Sequence, residues 1–105
     1  MNAEEFISWW KDEKDAMLRQ YFDYQDDTFV VVKTAELQLD SAQLAILRQI
    51  LDRAITDTMY SILLQLDGTD FGTKPFEIRD ADGNLVFAQG DFKRLAPQLL
   101  YDGDE

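Results

Sequence analysis

The run "TFVVVKT", residues 28–34, decides the fold class. It is dense in β-branched and aromatic side chains, and its apolar stretch is short. That combination predicts a strand buried on both faces. A second strand signal lies in "PFEIRDADGNLVFAQG", residues 75–90, where Phe76 and Ile78 alternate with Glu77 and Arg79. "DADGN" then marks a tight turn with a left-handed residue at Gly83 or Asn84, and Leu85 to Ala88 return. The expectation is a β-hairpin that the 28–34 strand joins as a third member.

Helical patterns surround these segments. Asn2 is a good N-cap and Glu5 completes a capping box, with Met1 and Phe6 as a hydrophobic staple. The helical period runs to about Tyr24. Phe6, Trp10, Met17, Tyr21 and Tyr24 share one arc, which Ile7, Leu18 and Phe22 widen. Asp40 and Gln43 form a second capping box, and Gly68 is a natural stop for a helix from Ser41 to about Leu66. That helix has two apolar stripes, Leu44–Leu47–Leu51–Ile55–Ile62–Leu66 and Ile46–Ile50–Leu64. Helices of this kind are covered on several sides. A short helix is expected from Asp91, with Pro97 breaking or restarting it. The predicted fold is therefore α+β: two long packed helices against a small two- or three-stranded antiparallel sheet, in the order α-β-α-β-β-α. At 105 residues the chain suits a single domain over 1–101, followed by a frayed acidic tail at 102–105.

Composition excludes much chemistry. The chain has no cysteine and no histidine, which removes disulfides, thiolate nucleophiles, sulfur metal ligands and the usual base near neutral pH. Twenty-one acidic residues face ten basic ones, for a formal net charge of −11. That charge repels nucleic acid and anionic membranes and attracts basic partners. "MNAEEF" at the start carries no basic or apolar run, and no stretch is apolar for long enough to span a bilayer, so a soluble cytoplasmic protein is expected.

The residual motifs are weak. Asp80, Asp82 and Asn84 open like a calcium loop, but Leu85 stands where that loop needs glycine. "DGTDFGTK", residues 67–74, has its glycines between a helix and a strand, the reverse of a phosphate-binding loop. Asp52 and Asp57 are five apart, so they do not share a helix face. Asp57, Thr58 and Tyr60 are polar where the long helix should be buried, and Arg53 has the spacing to pair with Asp57. Ser8, Ser41 and Ser61 have no activating partner.

What remains is an aromatic flank and clustered acids. Trp9 and Trp10 are neighbours and point about 100° apart on a helix. Trp10 belongs to the core stripe, and Trp9 falls at its edge beside Asp12 and Glu13. Such a tryptophan can anchor an interface while acidic neighbours steer a basic partner. Asp23, Asp26 and Asp27 form a second acidic cluster at the helix end. The sequence thus points to a non-catalytic, cofactor-free acidic protein-binding domain of inhibitor, immunity or adaptor type. The candidate contact residues are Trp9, Asp12, Glu13, Asp23, Asp26 and Asp27. The alternatives are a structural protein that dimerises through the first helix, and a small ligand-binding or carboxylate enzyme domain.

Overall fold

The structure is a computed structural model and describes residues 1–24, 27–68, 74 and 76–101. Its elements are four helices: α1 (Ala3–Phe22), α2 (Phe29–Glu36), α3 (Ser41–Asp67) and α4 (Asp91–Leu100). No strand occurs among the described residues, so the α+β expectation gives way to a helical fold. Asp26, residues 69–73 of "DGTDFGTK" and the expected tail at 102–105 lie outside the described residues.

The overturned element is the opening one. Residues 29–34 are helical, as the first part of α2, with Thr28 in the extended conformation at the N-cap. The β preference of valine and phenylalanine is a preference for a pleated, half-buried surface with neighbours on either side. No strand among the described residues supplies it. The 76–88 segment makes its turn but not its ladder. Asp80 N–H donates to the Asn84 carbonyl at 2.9 Å, and Gly83 takes the left-handed conformation at φ 84°. Beyond that, pairing stops at a single antiparallel bridge, Arg79 to Leu85. A two-stranded hairpin alone is marginal in water. The segment instead lays Val86 and Phe87 into the core.

Both capping boxes form. Glu5 N–H donates to Asn2 Oδ1 and Gln43 N–H to Asp40 Oδ1, each at 2.8 Å, and both return bonds are present. Gly68 ends α3 with φ 72°. Between α2 and α3 the turn holds Gln38 at φ 53°, a left-handed conformation unusual for a residue with a Cβ. Pro97 sits inside α4 and does not break it. It has no N–H to offer the carbonyl of Lys93 one turn earlier, and the helix nevertheless continues to Leu100.

The core lies at one end of the molecule. Ala3, Phe6 and Ile7 of α1, Leu63 of α3, and Phe92, Leu95, Ala96 and Leu100 of α4 meet there with Val86 and Phe87. Phe92 stacks on Phe6 with centroids 5.7 Å apart and packs at a tilt against Phe87 at 4.3 Å. α4 is held in place by a cap from elsewhere. Its own N-cap is Gly90, which has no side chain to offer. The carboxylate of Asp67, fully buried at the end of α3, accepts the N–H groups of Phe92 and Lys93, each at 3.2 Å. These are the second and third helical positions, the pair that an N-cap side chain serves.

A polar contact ties α1 to the middle of α3. The side chain of Lys14 is only 3% exposed, and its ammonium meets Asp52 Oδ1 at 2.7 Å and Thr56 Oγ1 at 3.0 Å. Thr56 turns its own hydroxyl proton to the Asp52 carbonyl at 2.8 Å. The buried ammonium is therefore matched by an anion and a hydroxyl, as a desolvated charge requires.

Further out, the core thins. The molecule measures 47 × 29 × 23 Å with a radius of gyration of 16.4 Å. A compact chain of this length would give about 13 Å. α3 alone accounts for about 40 Å of the length at 1.5 Å per residue. Among the described residues no helix is long and apolar enough to cross a membrane.

Two substitutions test these contacts. Asp67→Ala should cost about 2–3 kcal/mol, because the lost acceptor is charged and buried and serves two N–H groups. A urea titration followed by circular dichroism reads this as a lower midpoint. Lys14→Ala should cost about 3 kcal/mol, the low end for breaking a buried pair, since Asp52 retains some access to water. Lys14→Met should lose less, because its stem still fills the space between α1 and α3.

Candidate functional site

α1 sorts the adjacent tryptophans by angle. Trp10 is half-buried and leans on Phe6, centroid to centroid 6.0 Å. Trp9 points outward at 63% exposure, touching the same Phe6 only edge-on at 6.4 Å. One core thus takes one indole and leaves the other to solvent.

Exposed carboxylates surround Trp9 at helix-neighbour spacings. Glu5 lies four residues before it, Asp12 three after and Glu13 four after. Glu5 is also part of the α1 capping box, through the N–H of Asn2 at 3.2 Å. Three basic residues, Lys11, Lys14 and Arg19, interrupt the acids of α1 in the sequence. Lys14 turns inward onto Asp52, so the outer face of α1 is more acidic than the sequence order suggests.

Trp9, Trp10, Glu13 and Met59 line an open cleft of about 400 Å³. Met59 comes from α3. Its only signal in the sequence is that it begins "MYSILLQL", a stretch apolar almost all round. Glu5 was legible only as a capping residue. An indole face beside a carboxylate is suited to a cation, which gains from the ring quadrupole and the anion together.

The second acidic cluster does not join this site. Asp23 is the C-cap of α1, about 20 Å from Trp9 along the helix. Its carboxylate pairs with Arg48 of α3 at 2.9 Å, and so holds two helices together. Asp27 is exposed just before α2. The six sequence-selected residues therefore divide. Trp9, Asp12 and Glu13 share one face. Asp23 and Asp27 stand at the far end of α1, and Asp26 is not among the described residues.

The other polar candidates have structural partners. Asp57 Oδ1 accepts the Tyr101 hydroxyl at 2.5 Å, and the Arg53 guanidinium lies 5.0 Å from the centre of the Tyr101 ring. Asp52 faces α1 instead, so the two aspartates serve different neighbours. Asp80 Oδ1 accepts the N–H groups of Asp82 and Asn84 at 3.0 Å each, which makes "DADGN" a self-capped turn. The Met1 ammonium at 2.9 Å and the Asn84 N–H hold the Asp80 carboxyl below its ordinary value. Among the described residues no three potential metal ligands converge.

Burial and the bond to Asp57 push the Tyr101 phenol up from 10.0 to about 12. The neutral phenol is the favoured form in the folded chain. Its contribution to stability is complete below the ordinary value of 10.0 and is lost as pH climbs toward about 12. An ultraviolet titration of phenolate formation should show a late-ionising tyrosine that vanishes in Tyr101→Phe. In Asp57→Asn that ionisation should move to lower pH.

No protein-family model, curated protein or solved structure matches the chain, and the functional reading therefore stands on its residues.

Proposed function

We propose that this chain is a non-catalytic protein-binding domain that engages a basic partner, in the manner of an inhibitor, an immunity protein or an adaptor. The observation that carries the reading is Trp9, 63% exposed and ringed by Glu5, Asp12 and Glu13. A large exposed indole is an expensive thing to leave in water, and tryptophan is the side chain most often found to dominate interfaces. The carboxylates around it make a rim for a lysine or arginine of the partner, and the cleft beside Trp10 and Met59 gives that side chain a place to lie. The formal charge of −11 adds long-range steering toward a basic target.

The test is affinity capture from the native host with wild-type and Trp9→Ala baits, each at low and high salt. A basic protein should be retained by the wild type and lose about tenfold or more in affinity with Trp9→Ala, as a dominant contact does. Retention should also fall as salt rises. A captured partner that is acidic, or that binds both baits equally, refutes the reading.

A further inference from the structure

The half of the molecule away from the core leaves a large apolar surface open. α2 is an apolar helix with no buried residue. Phe29 is 75% exposed, and Val32 and Leu37 are exposed beside it. On α3 the second apolar stripe begins with Ile46 at 56% and Ile50 at 58% exposure. Between the two helices runs a groove of about 550 Å³, with Leu47 and Leu51 on its α3 side and Phe29, Val30 and Leu37 on its α2 side. Exposed large apolar side chains gathered on two neighbouring helices mark an interaction site.

The charges identify the occupant. Residues 28–56 carry Lys33, Arg48 and Arg53 against Glu36, Asp40 and Asp52, three of each sign. The whole −11 therefore belongs to the rest of the chain. The six charges of this stretch are also engaged internally. Lys33 pairs with Glu36 at 3.1 Å, Arg48 with Asp23 at 2.9 Å and Asp52 with Lys14 at 2.7 Å. Asp40 caps α3, and Arg53 lies over Tyr101. A basic partner gains nothing from a neutral face. A second copy carries the same −11 outside this stretch, so its own neutral face is where it approaches against least repulsion. A two-fold contact brings one patch against itself, so only a neutral patch can form it without like charges meeting.

We infer that two copies of this chain associate through the apolar face of α2 and the first half of α3, with the groove between these helices closed by the other copy. This dimer does not rest on the basic-partner reading. It leaves Trp9 and the carboxylates around it free on the outside of both copies. It places self-association on a different surface from the first-helix alternative that the sequence raises.

Sedimentation analysis of the full chain over the micromolar range tests it. The expected mass is twice the 12.2 kDa of one chain. Ile46→Glu/Ile50→Glu, and separately Phe29→Lys, should weaken dimerisation about 100-fold or more while circular dichroism keeps its helical signal. Trp9→Ala should remain dimeric. Salt should tighten the dimer by screening the repulsion between two anionic chains, opposite to its effect on a basic partner. A wild-type monomer throughout the range overturns the inference. So does a dimer that survives both sets of substitutions, or one that Trp9→Ala dissolves. A monomer that takes a basic amphipathic peptide in the groove overturns it as well, and gives the groove to a different occupant.

Discussion

The carboxylate of Asp67 is the constraint on which the packed half of the molecule depends. It is the last residue of α3, it is buried, and it serves the start of α4 because Gly90 cannot. Without it, two N–H groups at the head of α4 would face the interior without this charged acceptor. With it, the two helix ends are joined at a fixed distance, and Phe92 is delivered between Phe6 and Phe87. The aromatic stack, the closure of α4 over α1 and the burial of Val86 and Phe87 all follow from that one placement. Val86 and Phe87 of the intervening segment then cover that core without a ladder to hold them.

The molecule is consequently built in two unlike halves. One has an aromatic core, a capped α4 and an acidic exterior bearing Trp9. The other has α2 and the first half of α3, and ion pairs of Asp52 with Lys14 and of Arg48 with Asp23 tie that half of α3 to α1. Hydrophobic residues make up 46% of the sequence, but the buried ones concentrate at the α4 end. Surface left uncovered by one chain is a thermodynamic demand on another molecule, and its charge decides which one answers.

The parts of this fold written in local chemistry were legible. Asn2–Glu5, Asp40–Gln43 and Gly68 act on backbone within a turn of themselves, so spacing alone identifies them. The left-handed residue in "DADGN" is of the same kind. So is the division between Trp9 and Trp10, which needs only the angle between successive helical residues. What failed was whatever depended on distant neighbours. "TFVVVKT" reads as strand because its side chains favour a pleated surface, and whether such a surface exists is a property of the whole chain. Lys14 reads as a surface charge because nothing nearby in sequence announces Asp52 and Thr56. Asp23 reads as a docking acid because its partner, Arg48, lies twenty-five residues on.

The Lys14 contact also limits how the two long helices can move. Apolar seams are tolerant: a leucine that shifts by a turn meets another leucine at little cost. An ammonium seated between one carboxylate and one hydroxyl has no such second seat, and sliding α1 along α3 would part a buried charge from both its partners. The pair therefore works as a detent. Axial translation is opposed there, and the Asp23–Arg48 pair adds a second tie between the same two helices. The two long helices are thus registered at two polar points, at the middle of α1 and at its C-terminal end, rather than by apolar packing alone.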